Sequence, residues 1–186
     1  MEIKATAIPE VKIVTPARFG DHRGFFAEVY NRRALAEAGI DVVFVQDNHS
    51  FSAERGTLRG LHFQRPPVTQ TKLLRVLRGT VADVAVDCRV GSPTFGRHVM
   101  VELSAARGEQ ILCPKGFAHA TLTLEPDTEI TYKVDAYYAP DHDLGVRYDD
   151  PDLAINWPIP ADQLVLSDKD RALPWFRDLP AVFTYP

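Results

Sequence analysis

Gly56-Thr57-Leu58-Arg59-Gly60-Leu61-His62-Phe63-Gln64 sets an arginine and a histidine among strand-forming residues. The chain then runs through Arg65-Pro66-Pro67 into Gln70-Thr71-Lys72-Leu73-Leu74-Arg75-Val76. Two glycines within five residues let a strand bend, or let another group approach its backbone closely. The stretch therefore reads as a strand shaped around a ligand. Alone, a histidine between Leu61 and Phe63 has a second reading, as a hydrogen-bonded structural side chain. In the following strand, a period of two puts Lys72 on the same face as Leu74 and Val76. An ammonium among apolar residues needs a carboxylate or an anionic ligand.

The same punctuation recurs along all 186 residues, where 14 prolines and 11 glycines separate short alternating runs. That pattern predicts many short strands in a barrel or double-sheet jelly roll, with few helices. A strand over 11–19 leads to a tight turn at Gly20-Asp21-His22-Arg23-Gly24, which is also readable as a solvated salt bridge. A second strand follows at 25–30. Asn31 caps a short helix, Arg32 to Ala38, that Gly39 ends. From Val42 to Ser52, Gln46, Asn48, Ser50 and Ser52 share one parity, while Val43, Val45 and Phe51 share the other. The polar side suits recognition of a flat heterocycle or a sugar, or it is the solvent face of an antiparallel sheet. In later strands His119 shares parity with Thr121 and Thr123, and Tyr132 with Ile130 and Val134. A further helical turn is expected near Ser167-Asp168-Lys169-Asp170. One domain, 1–186, is expected, with the tail from about 150 to 186 packing back on the sheets.

Composition narrows the function. A net charge of -4 without runs of like charge argues against a general nucleic-acid surface. No apolar stretch approaches the ~20 residues of a membrane span. The N-terminus lacks the apolar core of a signal peptide, so a cytoplasmic protein is expected. Cys88 and Cys113 sit in apolar strands without metal-ligand spacing and read as reduced core residues. His49, His62 and His119 invite a test for a jelly-roll metal site, but Phe63-Gln64 follows His62 where a second ligand would sit. There is no His-x-His pair and no His-x-x-x-Glu close to it. The remaining tools are a base (His62 or His119), a cation (Lys72), a phenol (Tyr132) and carboxylates. That set fits proton abstraction beside a carbonyl.

Ordered motifs run nearly end to end: Asp21-His22-Arg23-Gly24-Phe25-Phe26-Ala27-Glu28, Gln46-Asp47-Asn48-His49-Ser50, Arg59-Gly60-Leu61-His62-Phe63-Gln64 and Lys72-Leu73. They continue with Asp83-Val84-Ala85-Val86-Asp87, Ser92-Pro93-Thr94-Phe95-Gly96, Pro114-Lys115-Gly116-Phe117-Ala118-His119, Tyr132-Lys133, Tyr137-Tyr138 and Leu166-Ser167-Asp168-Lys169-Asp170. With them the chain resembles the dTDP-4-dehydrorhamnose 3,5-epimerase family. The resemblance implies an all-β, cupin-like jelly roll (a double-sheet β-barrel) that forms homodimers with N-terminal strands in the interface. It implies a dTDP-sugar substrate and neither metal nor cofactor. It matches the base to His62, its orienting carboxylate to Asp170, the proton donor to Tyr132 and the enolate-stabilising cation to Lys72. Arg59 matches the diphosphate contact. Arg23, Phe26, Glu28, Gln46, Asn48, His119, Asp143 and Lys169 match other nucleotide or sugar contacts, and Tyr138 the aromatic that stacks on thymine. Strict alternation sends Arg59 and His62 to opposite faces, so a bulge is expected near Gly60. Ala120-Thr121 stands where the family usually has Gly-Phe, and Asp143 where it has Glu. Three other readings stay open: an epimerase of C3 or C5 alone serving another deoxysugar, a metal-dependent cupin such as a dioxygenase, and an inert sugar-nucleotide sensor.

Overall fold

The computed structural model describes residues 1–185; the last residue of the expected tail, Pro186, lies outside them. Its strands are β1 (Glu2–Ala5), β2 (Lys12–Thr15), β3 (Arg18–Asp21), β4 (Gly24–Ala27), β5 (Gln46–Ser52), β6 (Leu58–Gln64) and β7 (Lys72–Arg78). They continue as β8 (Thr80–Asp87), β9 (His98–Ser104), β10 (Gln110–Cys113), β11 (Phe117–Thr123), β12 (Thr128–Val134) and β13 (Asp143–Gly145). A six-stranded antiparallel sheet has the order β1-β2-β10-β7-β12-β5, and it faces a five-stranded sheet of order β13-β6-β11-β8-β9. Two facing antiparallel sheets of this kind make a cupin-like jelly roll, and among the described residues no ladder closes them into a continuous barrel. Among the described residues strands β3 and β4 pair only with each other, as a ribbon apart from both sheets. Among the described residues no helix is long and apolar enough to cross a membrane.

Local chemistry accounts for the element boundaries. The run expected to be one strand over 11–19 divides into β2 and β3 at Pro16-Ala17, since proline has no N–H to give a ladder. Helix α1 (Arg32–Glu37) starts where the Asn31 side chain accepts from the Ala34 N–H, and Gly39 beyond its end has φ +82°. Helix α2 (Asp168–Arg171) is a single turn capped by Ser167, whose side chain accepts from the Asp170 N–H. Strand β5 begins at Gln46, four residues later than the alternation from Val42 suggested.

Three buried clusters divide the labour. Between the sheets lie Leu74, Val76, Val81, Ala85, Ile111 and Ile130. Outside the five-stranded sheet, Leu58, Phe63, Val84 and Val86 are covered by the tail residues Leu153, Ile159, Leu164 and Phe183. Outside the six-stranded sheet, Val14, Leu73 and Leu112 pack with Leu35 of α1. Both cysteines are buried free thiols, and burial pushes Cys88 up to about 12.

The bulge expected near Gly60 is present. His119 of β11 lies opposite His62, and Thr121 opposite Arg59, so two steps on β11 answer three on β6. Arg59 and His62 thereby share the inward face, while Leu58, Leu61 and Phe63 join the outer cluster. Gly60 has φ +132°, and a Cβ there would stand 2.5 Å from the Cβ of Ala120 and 2.6 Å from the His119 carbonyl oxygen. Only glycine fits.

Candidate active site

The two inward faces meet at a cavity. Antiparallel register places Lys72 beside Val134 and Leu74 beside Tyr132. It also sets Asn48 beside Tyr132 and Ser50 beside Ile130, so these side chains project from one face. Opposite them stand Arg59, His62, His119 and Thr121. One lobe of the cavity, about 280 Å³, is lined by Arg59, His62, Lys72, His119, Tyr132 and Asp170, with Ser50, Thr121 and Lys169 among the rest. A second lobe of about 240 Å³ shares His62, Lys72 and Tyr132 and adds Gln46, Asn48, Gln64, Tyr138 and Asp143.

His62 and Asp170, 108 residues apart, form a pair with Nε2 2.5 Å from Oδ1. Burial alone would push Asp170 up, but the His62 hydrogen bond and charge, with Ser167 and Lys169, outweigh it and hold the carboxyl below its ordinary value. With Nε2 donating to that carboxylate, Nδ1 is the ring atom left for proton transfer. Lys72 Nζ donates to the His62 carbonyl oxygen at 3.2 Å. Burial lowers its pKa, against the opposing pull of Cys113, Asp143 and Asp83. The Tyr132 phenol is raised, by burial first and then by Asp143 and Tyr138, against the Arg59 charge. It therefore stays protonated at neutral pH and is able to donate. A tyrosine on the apolar parity could have been plain core with its hydroxyl satisfied; here it lines both lobes.

The second lobe is organised by amides. The Tyr138 N–H donates to Gln46 Oε1 at 3.0 Å, and Gln46 Nε2 donates to Asn48 Oδ1 at 2.8 Å. Gln64 Oε1 accepts the Ala139 N–H, and its Nε2 reaches the Tyr137 carbonyl, which fixes the loop carrying Tyr138. Asp143 accepts from Lys169 at 2.5 Å and from the Tyr138 hydroxyl at 3.2 Å. That carboxylate raises Lys169, and its charge raises Tyr138. The polar parity of β5 thus faces the cavity, whereas Val43, Val45 and Phe51 are exposed, the reverse of a solvent-facing polar side.

His62, Lys72, Tyr132 and Asp170 come together with Arg59, His119 and Lys169 in one lobe, and Gln46, Asn48, Tyr138 and Asp143 line the other. Arg23, Phe26 and Glu28 do not line either. They sit on or just beyond the exposed β3–β4 ribbon, where Arg23 pairs with Asp21 at 2.6 Å and Glu28 accepts from Asn31. His49 also points away and pairs with Glu129. Asp83, given no role by the sequence, lies 2.8 Å from His119. The signal for it was a charged residue at the parity of Val81 and Ala85, both in the inter-sheet core.

A jelly roll that gathers a histidine–carboxylate pair, a protonated phenol and a buried ammonium around one cavity is equipped as an acid–base enzyme of proton transfer next to a carbonyl. Comparison with known proteins makes the assignment specific. Residues 5–178 match the family model described as dTDP-4-dehydrorhamnose 3,5-epimerase. The chain is 49% identical over 185 residues to the dTDP-4-dehydrorhamnose 3,5-epimerase of Sinorhizobium fredii, covering 100% of this chain and 94% of that one. It is 50% identical over 179 residues to the enzyme of the same name from Pseudomonas aeruginosa, covering 95% and 97%. Among solved structures, dTDP-6-deoxy-D-glucose-3,5-epimerase from Legionella pneumophila, in complex with dTDP-4-keto-L-rhamnose, superposes with a TM-score of 0.95 at 45% identity and covers 100% of this chain and 98% of that one. The chain belongs to the dTDP-4-dehydrorhamnose 3,5-epimerase family.

Proposed function

We propose that the protein inverts C3 and C5 of dTDP-4-dehydro-6-deoxy-D-glucose to give dTDP-4-dehydro-L-rhamnose, in dTDP-L-rhamnose biosynthesis. The observation that carries this reading is the His62–Asp170 pair sharing one cavity with Tyr132 and Lys72. The family it belongs to supports it. His62 Nδ1 takes the proton from C3 or C5, and the C–H electrons move onto the C4 oxygen as an enolate. The buried Lys72 ammonium faces that charge, and burial strengthens an electrostatic donor. As the enolate collapses, the Tyr132 phenol delivers a proton to the opposite face of the same carbon, inverting it. Solvent then reprotonates the phenolate and removes the proton from His62. These residues and solvent account for every proton and charge that the steps require, and the proposed reaction uses no cofactor.

Arg59 lines the cavity, its guanidinium donating to Ser52 Oγ and the Phe51 carbonyl, and would hold the diphosphate, while the exposed Tyr138 ring would stack on the thymine. The protein is further proposed to act as a cytoplasmic homodimer. On the lone β3–β4 ribbon, Phe19, Phe25 and Phe26 are 65%, 63% and 69% exposed. An isolated two-stranded ribbon is marginal in water, and a second copy would cover these rings and bring Arg23, Phe26 and Glu28 to a cavity.

The test is incubation with dTDP-4-dehydro-6-deoxy-D-glucose in deuterated water, followed by NMR at C3 and C5. Deuterium at both carbons with an L-configured product is expected. Label at one carbon alone would identify a single-centre epimerase. Binding without exchange would overturn the enzymatic reading, and stoichiometric iron or zinc in protein prepared without added metal would favour a metal-dependent cupin.

A further inference from the structure

One carboxylate joins three parts of the chain that surround the two lobes. Asp143 Oδ2 accepts from Lys169 Nζ at 2.5 Å and from the Tyr138 hydroxyl at 3.2 Å. Asp143 itself is on β13, whose register sets it beside Gln64 and sets Gly145 beside His62. Tyr138 lies between β12 and β13, in the loop that Gln64 holds. Lys169 belongs to α2 and is the neighbour of Asp170, the partner of His62. The contacts therefore close a circuit, from His62 through Asp170, Lys169 and Asp143 back to β6. Asp143 makes them with an arm one methylene shorter than the glutamate usual in the family.

A helix of one turn lacks the length to fix its own orientation. Successive helical residues are roughly 100° apart around the axis. One side-chain anchor thus leaves the roll of the turn to the flanking chain, whereas two anchors fix it. Asp170 on β6 and Lys169 on β13 are two such anchors. We propose that Asp143 is a positioning residue of the reaction: by gathering Lys169 and the Tyr138 hydroxyl on one oxygen, it sets the roll of α2 that keeps Asp170 on His62, and it couples that geometry to the loop that would carry the thymine. A nucleotide base stacked on the Tyr138 ring then steadies the same carboxylate, so that binding far from C3 and C5 is expressed at the catalytic histidine.

The inference rests on the epimerase reading, and one of its two readouts needs no turnover. In the free protein, the His62 ring proton held by Asp170 is followed by ¹H NMR in wild type, Asp143→Ala, Lys169→Met and Tyr138→Phe. Asp143→Ala and Lys169→Met should each speed its exchange with solvent about tenfold, because the turn carrying its acceptor opens more readily. Exchange at the wild-type rate in both would overturn the inference. On dTDP-4-dehydro-6-deoxy-D-glucose, Asp143→Ala should lower kcat about tenfold with KM changed by less than about threefold. That is short of the roughly 10²-fold that a 1 Å misplacement costs, since Lys169 is 53% exposed and its ion pair is partly screened. In a Lys169→Met background, Asp143→Ala should lower kcat no further. Tyr138→Phe keeps the ring that would stack and removes only the hydroxyl, so it should lower kcat about two- to threefold at an unchanged KM, as loss of one neutral hydrogen bond does. Losses confined to KM, which contact with substrate alone would give, or losses that multiply in the double variant, would overturn the inference. If Asp143→Ala fails to fold, Lys169→Met and Tyr138→Phe, both at exposed side chains, decide. Wild-type protein that exchanged no deuterium at C3 or C5 would fail the epimerase reading, and the ring-proton exchange would still decide whether Asp143 positions Asp170.

Discussion

Replacing Gly60 with alanine tests whether the bulge in β6 is what assembles the site. At φ +132° the residue sits in a region essentially reserved for glycine, which costs an alanine on the order of 1–3 kcal/mol. The added Cβ would stand 2.5–2.7 Å from the Cβ and Cα of Ala120 and the His119 carbonyl oxygen. Two of these three atoms belong to the β11 backbone, so β6 and β11 must part by close to 1 Å. Overpacking of this kind costs about 1–3 kcal/mol. Loss of glycine's freedom in the unfolded chain returns about 0.4–1 kcal/mol. The net expectation is a loss of about 1–6 kcal/mol, centred near 3, a large share of the 5–15 kcal/mol typical of a domain. Gly39, at φ +82° with nothing within 4 Å of an added methyl group, supplies the control. Alanine there meets only the left-handed backbone cost and should lose about 1 kcal/mol. Urea unfolding at neutral pH, followed by circular dichroism, gives both values. Because the strands that move carry His62 and His119, Gly60→Ala should also lower kcat on the order of 10²-fold at temperatures where it is folded. Equal stability losses at the two glycines, with wild-type kcat in Gly60→Ala, would refute the claim that close strand approach at Gly60 builds the active site.

Periodicity carried much of this structure, because a strand's alternation fixes which residues share a face. It grouped Lys72 with Leu74, and Tyr132 with Ile130, and those groupings hold in the sheet. What alternation does not contain is which face turns inward. On β5 the polar parity faces the cavity while Phe51, and Val43 and Val45 in the segment before the strand, are exposed, a choice made by the strand's tertiary partners. Arg59 and His62 have opposite parity, and it took the glycine between them, together with their matches in one family motif, to expose the bulge. The Asn31 cap was legible because the local side-chain hydrogen bond that makes the helix start is written in adjacent residues; near 167–170 a helical turn was expected, and the structure adds that Ser167 caps it. The pairing of His119 with Asp83 spans 36 residues and depends on two strands lying side by side. No local pattern states it.

Tyr132→Phe removes the proposed proton donor while leaving His62 and Asp170 in place. It should lower epimerisation about 10²–10⁴-fold, and NMR in deuterated water should still show exchange with retention at a carbon His62 can reach; unchanged turnover would exclude Tyr132 as donor. Asp87 is fully buried and accepts from Arg89, Ser92 and Thr94. These bonds outweigh burial and bring its carboxyl down to about 2. A depressed folded value means the stabilisation is full above an ordinary carboxylate's range near 4 and is lost as pH falls toward 2. At about 1.4 kcal/mol per unit, a drop from 3.8 to about 2 amounts to about 2–3 kcal/mol. The urea-midpoint difference between wild type and Asp87→Asn should therefore shrink between pH 4 and 2, and a constant difference would show that the carboxylate's charge is not its source. The last prediction concerns how the base gets its carboxylate. Asp170 rides on a four-residue helix, too short to hold itself. What precedes it is docked: the Leu58 N–H donates to the Val165 carbonyl, and Leu164 is buried in the outer cluster. Leu164→Ala should cost about 2–4 kcal/mol and, well below its melting temperature, lower kcat more than it raises KM, because loosening this segment lets Asp170 drift from His62. Ile111→Ala, in the inter-sheet core, should cost similar stability with kcat retained. Equal effects on kcat in the two variants would mean that tail docking is not what sets the histidine–carboxylate geometry.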